Sequence, residues 1–463
     1  RCLTFKVPTH HVPRKHRMET STYLSAPIWR TSKAANHIDR QPFLLKYSQH
    51  CRGSYKTARA FPTAYTTKME TTPWQEVLGC NNWDNLLEPL DINVLELILR
   101  AGDFCQATYD SFNNDQNSKY CGTCRFGKEN FFRNVMLRNG QNYEVVSYLY
   151  ATALVSLPEA YLLHSQSRDA WDRESNWFGY IAVTTDDHSQ AIGRREVYVV
   201  FRGTTRNYEW IDVLGCDPDP PHPIINDPEE ESGAKVMQGW LSIYMSGNPN
   251  SEFTKLSLRE QLRRKINHIR QRYEGEDLCI IFCGHSLGAC ISILGSIDIV
   301  ENDVGDEVPV TAVIFGSPGV GNKEFNKRYD SHRNLNALHV RNCRDMIPHY
   351  PGRMLGYRRT GVELLIDTEK SPYLKKTRTI GDWHNLQAML HVVAGWHGKD
   401  AEFGLRVKRS IALVNKSCEF LKDEHGVPGS WWVQWNKGLI LDEEGEWVTA
   451  PPDASDLPVP EFH

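Results

Sequence analysis

A chain of 463 residues with 40% hydrophobic residues, 13 Trp and 19 Tyr can bury a sizeable core, as one large α/β domain or two ordinary ones. The net charge of −4 gives no sign of a nucleic-acid partner. No apolar run is long enough to span a bilayer, and no secretory h-region lies near the N-terminus.

The charge is unevenly spread. Residues 1–73 carry 13 Lys/Arg against 3 Asp/Glu and show no lasting helical or strand period. This stretch is expected to be a disordered extension outside the folded domain, with an organellar transit peptide as the alternative. Met18 and Met69 are both possible starts. The 12 cysteines are scattered, and Cys279, Cys283 and Cys290 sit inside apolar runs. That suits reduced thiols in a reducing compartment better than a disulfide scaffold. The lone Cys121-Gly122-Thr123-Cys124 is read as a loop pair and not as a metal or redox motif.

From Pro73 the character changes. Trp74–Leu78 and Trp83–Leu90 alternate apolar and polar residues, and Val94–Phe112 has the spacing of an amphipathic helix. Tyr143–Thr152 is β-rich. Trp177–Thr184 and Arg195–Phe201 are expected strands of a hairpin, with a turn at Asp186–Ser189. Residues 214–236 form a polar, Pro-rich linker with an acidic cluster at Glu229–Glu231. A charged helix is expected over Leu256–Tyr273, and strands over Val310–Phe315 and Leu338–Asn342. A helical segment follows Trp383-His384-Asn385 up to Val393, and a final long helix is expected over Ala401–Leu421. The tail from Val427 to Trp447 is Trp-rich, and its Pro-rich end is expected to be mobile. Strands alternating with helices around a parallel core indicate an α/β fold.

The chemistry centres on Leu278–Cys290. A short apolar strand runs into Gly284-His285-Ser286-Leu287-Gly288, and a helix-compatible run follows at once. This is the setting of a nucleophile elbow, in which a strained turn lifts the serine Oγ clear of the sheet. The Leu287 N–H, at the helix start, can face an oxyanion. A serine nucleophile needs a base and an acid that orients it. Asp345, just past the strand ending at Asn342, is the preferred acid over Asp367 and Asp382. Among His384, His391 and His397, His384 is the preferred base because a loop-to-helix position can project its ring into a cleft. His391 is expected to be a half-buried core histidine, and His397 to lie in a turn. Thr204, closing the strand that runs into Phe201-Arg202-Gly203-Thr204, is the candidate second oxyanion donor.

These residues together resemble the class 3 lipases. The resemblance rests on Phe201–Thr204, Gly284–Gly288, the run Arg341-Asn342-x-x-Asp345-x-Ile347-Pro348, and His384-Asn385-Leu386 through His391. Val414–Ser417, Val427–Trp432 and Asn436–Gly438 narrow it to the plant phospholipase A1 enzymes of the cytosolic group II. The resemblance runs from about Trp74 to about Trp447. It implies one α/β-hydrolase catalytic domain over 74–463, with a mostly parallel central sheet flanked by helices. It further implies a triad of Ser286, Asp345 and His384, release of the sn-1 acyl chain of a glycerophospholipid through an acyl-enzyme, and no metal or other cofactor. Residues 214–236 fall where the family carries its lid. The segment is less apolar than the amphipathic lid helix of the fungal relatives, which suits a phospholipid at a membrane or micelle surface. Residues 1–73 have no counterpart in the cytosolic group, whereas plastid relatives carry transit peptides. The expected location is therefore cytoplasmic, with the plastid as alternative. A galactolipase or a di- or triacylglycerol lipase would use the same triad. A lipase-fold interaction protein without catalysis is the alternative from another class.

Overall fold

The computed structural model describes residues 72–152, 166, 175–204, 217–227, 231–376, 379–432 and 439–449, all within the unit Met69–His463. The basic stretch 1–73 lies outside the described residues except for its last two positions. So do residues 205–216, 228–230 and the Pro-rich end from 450.

Runs of β-branched and aromatic residues build a mixed seven-stranded sheet. Three strands form an antiparallel meander: β1 (Tyr143–Thr152), β2 (Ser175–Thr184) and β3 (Arg195–Phe201). A small ribbon pairs β4 (Pro218–Asp219) with β5 (Val236–Met237). The sheet then continues in parallel from β3 through β6 (Leu278–His285), β7 (Val310–Phe315), β8 (Leu335–Asn342) and β9 (Val362–Ile366). The central parallel strands β6 and β7 are apolar along most of their length because both faces are covered.

The helices are α1 (Trp74–Val77), α2 (Ile92–Ser111), α3 (Phe131–Asn134), α4 (Asp186–Ile192) and α5 (Gln238–Met245). They continue with α6 (Leu258–Arg272), α7 (Leu287–Ile299), α8 (Lys323–Tyr329), α9 (Ile380–Trp383) and α10 (Leu386–Ala394). Strand alternation divides the core into two layers. Tyr198, Val200, Ile281, Cys283, Val313 and Phe315 face α2 and α10. Val197, Val199, Ile280, Phe282, Ala312 and Ile314 face α5, α6 and α7. The α7 helix is buried along its whole length, as the central helix of such a layer must be.

Two local expectations are corrected. The hairpin between β2 and β3 exists, but its turn is the helix α4. Thr185 caps that helix, Asp186 and Asp187 occupy its first turn, and Gly193 ends it at φ 70°. Residues that favour turns favour helix N-termini for the same reason, since both need exposed amides satisfied. The alternating segment at 74–90 forms the short helix α1 followed by turns. Asn82, Trp83 and Asn85 all take positive φ, which breaks any extended run.

The long helix over Ala401–Leu421 does not form, and only the 3-10 turn Ile411–Asn415 is helical. Tertiary bonds claim the backbone instead: Gly404 N–H donates to the Gly395 carbonyl (3.2 Å) and Arg406 N–H to the Ala394 carbonyl (2.9 Å). The Arg409 guanidinium then grips Asp103 on α2 at 2.7 and 2.9 Å. The segment is a strap across α2 and α10, and tertiary pairing overrides its helical period. Cys121 and Cys124 are both buried; the Cys124 Sγ lies 3.6 Å from the Tyr148 hydroxyl.

Candidate active site

Parallel pairing brings the C-terminal ends of β3, β6, β7 and β8 to one edge of the sheet. Phe201 is level with Gly284, His285 with Phe315, and Phe315 with Val340. Side chains and loops that follow these strands therefore meet over one crevice.

Ser286 follows β6 and precedes α7. Its backbone sits at φ 59°, ψ −124°, a region a residue with a Cβ adopts only at the expense of strain. The flanking glycines explain how the turn closes. A Cβ on Gly284 would meet the Gly288 carbonyl oxygen at 2.2 Å, and a Cβ on Gly288 would meet that of Phe201 at 2.3 Å. The first turn of α7 thus lies directly on the end of β3. Ser286 N–H donates to the Phe315 carbonyl (3.0 Å). The Ser286 Oγ is buried and has no hydrogen-bond partner among the described residues. Leu287 opens α7, so its N–H is one of the first-turn amides that no carbonyl of its own helix can reach.

Asp345 and His384 meet in the same crevice. Asp345 lies three residues past β8 and is fully buried. One carboxylate oxygen accepts the Ile347 N–H at 2.9 Å, and the other stands 2.6 Å from His384 Nδ1. That contact makes Nδ1 the protonated nitrogen facing the carboxylate and leaves Nε2 as the basic one. His384 occupies the corner between α9 and α10, and Asn385 beside it caps α10 by accepting the Ala388 N–H. Asn342, at the end of β8, donates to the Trp383 carbonyl at 2.9 Å, which ties the histidine corner to the aspartate loop. Gly316, directly after β7, leaves room for the pair. A Cβ there would lie 2.7 Å from His384 Cε1 and 3.1 Å from Asp345 Oδ2. Since Phe315 holds the Ser286 backbone, residues 315–316 join the serine turn to the Asp–His pair.

The competing residues are engaged elsewhere. His391 is buried on α10, bonded to the Ser371 hydroxyl at 2.8 Å and packed against Tyr373 and Phe403. It is more deeply buried than the half-buried position expected of it. His397 faces the Gly404 carbonyl at 2.8 Å. Asp367 pairs with Arg344, and Asp382 closes a helix cap with Thr379.

Three residues of the site were not legible as such in the sequence. The His285 Nε2 lies 2.9 Å from the His384 carbonyl and its Nδ1 2.7 Å from the Tyr109 hydroxyl. A carbonyl only accepts, so Nε2 carries the proton and Nδ1 accepts from Tyr109. Burial, then the neighbouring His384, holds the His285 ring well below the ordinary histidine range and therefore neutral. Tyr109, at the end of α2, also touches the β3 loop, since a Cβ on Gly203 would lie 2.1 Å from its hydroxyl. The third residue is Arg202, whose guanidinium is buried behind that loop. His285 and Arg202 stand inside recognisable motifs, yet only burial and partners reveal their part.

Of the candidate lid 214–236, the described residues are 217–227 and 231–236. They are strapped down: Ile224 and Ile225 are buried, Asn302 donates to the Ile224 carbonyl, and Arg259 to that of Pro223. Among the described residues no group of three or more His, Cys, Asp or Glu could hold a metal ion. None of their helices is long and apolar enough to cross a membrane.

Residues 198–355 match the family described as lipase (class 3). Phospholipase A1-IIdelta of Arabidopsis thaliana is 60% identical over 410 residues, spanning 85% of this chain and 99% of that protein. Phospholipase A1-II 5 of Oryza sativa subsp. japonica is 48% identical over 394 residues, spanning 84% of this chain and 85% of that protein. Among solved structures, the triacylglyceride lipase of Rhizomucor miehei aligns with 60% of this chain and 80% of its own, at 18% identity and a TM-score of 0.38.

Proposed function

We propose, since this chain belongs to the class 3 lipase family as one of its phospholipase A1-II members, that it is a serine acylhydrolase releasing the sn-1 acyl chain of glycerophospholipids. The catalytic unit is 74–463. The observation that supports this most is the buried 2.6 Å contact of His384 Nδ1 with Asp345 in the crevice of the strained Ser286 turn.

The reaction then runs as follows. His384 Nε2 takes the proton of Ser286 Oγ as that oxygen attacks the sn-1 carbonyl carbon. Asp345 holds the ring in the required tautomer and stabilises the imidazolium that forms. The oxyanion of the tetrahedral intermediate is met by the N–H groups of Leu287 and Thr204, the former strengthened by the dipole of α7. Collapse breaks the bond to the glycerol oxygen, and His384 returns its proton to that oxygen. The 2-acyl lysophospholipid leaves an acyl-Ser286. Water, deprotonated by His384, attacks the acyl carbonyl; the bond to Ser286 Oγ breaks, His384 returns the proton to that oxygen, and the fatty acid departs. No step of this scheme calls on a metal or cofactor. Residues 214–236 are the segment proposed to border the entrance, and their acidic, Pro-rich character suits a polar lipid surface.

A panel of phosphatidylcholine, monogalactosyldiacylglycerol and triolein, each with sn-1-labelled chains, tests the substrate class. Labelled fatty acid and 2-acyl lysophosphatidylcholine are the expected products. Cleavage of triolein alone would defeat the phospholipase reading, and cleavage of the galactolipid alone would turn it into a galactolipase. We further propose that the enzyme acts in the cytoplasm. Fluorescent fusions beginning at Met18 and at Met69 are expected to distribute alike, and plastid import of the longer form alone would overturn that location.

A further inference from the structure

We propose that Arg202 is a positioning residue for the oxyanion site: its buried guanidinium locks the Gly203–Thr204 peptide so that the Thr204 N–H faces the nucleophile. This rests on the reading of Thr204 and Leu287 as oxyanion donors.

Arg202 is 1% exposed. Its Nη1 donates to the Gly203 carbonyl at 2.8 Å and its Nε to the Trp177 carbonyl at 3.3 Å. The guanidinium carbon lies 3.9 Å from the centre of the Phe112 ring and 5.6 Å from that of Phe178. Nη2 has no hydrogen-bond partner, and no carboxylate pairs with the group among the described residues. Burial lowers its pKa to about 10, so it remains a cation at neutral pH. A buried, unpaired cation is strongly unfavourable for stability alone, and an apolar side chain would pack between two aromatic rings at less cost. Packing therefore leaves the charge unexplained.

The hydrogen bond to Gly203 supplies the explanation. Gly203–Thr204 is not among the cis peptide bonds, and in a trans peptide the C=O and N–H point in opposite directions. Drawing the Gly203 carbonyl inward to Arg202 turns the Thr204 N–H outward. The flipped peptide would offer a carbonyl oxygen to the developing oxyanion, which repels it. Glycine is required beside the arginine, because a Cβ at position 203 would meet the Tyr109 hydroxyl at 2.1 Å and the His285 carbonyl oxygen at 2.7 Å. The loop is thus pinned from one side by Tyr109 and the serine turn and held by its carbonyl from the other. The cation behind the peptide also favours negative charge in front of it.

The test uses Arg202→Met, which keeps the stem and removes charge and donors, and Arg202→Lys, which keeps the charge and one ammonium donor. It also uses an ester in place of the 203–204 amide, made by installing the α-hydroxy analogue of threonine at 204. Each protein is assayed for kcat, KM, Tm and inhibition by a trifluoromethyl ketone, whose hydrated adduct mimics the tetrahedral state. Arg202→Met is expected to lower kcat about 100-fold, the usual effect of losing one oxyanion donor. KM should stay within about twofold, and the ketone should bind more weakly by about the same factor as kcat falls. Arg202→Lys should recover at least about tenfold of the loss. Adding Arg202→Met to the ester protein should change little, since both remove the same interaction. Unchanged kcat and ketone affinity in Arg202→Met would overturn the proposal, as would effects that add in full to those of the ester. If Arg202→Met does not fold, Arg202→Lys decides by its kcat and ketone affinity moving together at constant KM. An ester protein with undiminished kcat would instead show that Thr204 is not a donor, which is failure of the underlying reading.

Discussion

Ser286→Ala is expected to lower kcat by about 10⁶-fold on phosphatidylcholine, with KM little changed and no acyl-enzyme trapped on quenching. The magnitude follows from removing the nucleophile of a unit whose members act together, so that what remains is oxyanion binding and positioning alone. The fold should survive, and two observations say why. The Ser286 Oγ makes no hydrogen bond among the described residues that the substitution would break, and alanine carries the same Cβ through the strained φ of 59°. Relief of an unpartnered buried hydroxyl should leave Tm equal to or slightly above that of the wild type. Equal acyl release by wild type and variant would sink the hydrolase mechanism altogether.

The second large effect separates two histidines seven residues apart. His384→Ala is expected to lower kcat by about 10⁵- to 10⁶-fold, whereas His391→Gln should leave kcat within about threefold. His384 contacts the Asp345 carboxylate. His391 contacts the Ser371 hydroxyl through Nε2, which a glutamine amide can replace. The reverse pattern of activities would move the base to α10.

His391 also has a pH signature of its own. Burial first, then Arg409 and His425, lowers its pKa from the ordinary 6.5 to about 4. The folded protein therefore holds the ring neutral where the unfolded chain would protonate it. Between about pH 6.5 and about 4 the unfolded state binds more protons, so stability falls as pH falls through that window and is complete above it. His391→Gln should make the dependence of unfolding free energy on pH shallower there by up to about 1.4 kcal/mol per pH unit. Urea unfolding at pH 7, 5.5 and 4.5 checks this. An unchanged slope would mean that His391 is not held neutral by the fold.

The serine turn was legible because its cause is local. An apolar strand, two glycines that no Cβ could replace and an apolar helix are contiguous in the chain, and sterics within a few residues compel the turn. The ends of β3, β7 and β8 could be read in the same way, since strand, polar loop and turn residues follow one another directly. Their order along the chain even named Ser286, Asp345 and His384 as candidates. The helix expected over Ala401–Leu421 failed for the opposite reason. Its period was real, but Ala394 and Gly395 at the end of α10, and Asp103 across the fold on α2, offered its backbone and side chains better partners.

The sequence by itself thus determined the elements whose energetics are short-range: the turn at Ser286, the strands with their apolar faces, and the helix start at Leu287. Only the tertiary structure decided which groups share the crevice. His384 and His391 differ by where two helices meet the Asp345 loop. Arg202 differs from a surface arginine by the rings of Phe112 and Phe178 around it, and His285 from an ordinary turn residue by Tyr109 and the His384 carbonyl. Those are contacts between segments distant in the chain. Their strength depends on burial and on the exclusion of water, which exist only once the sheet has brought the segments together.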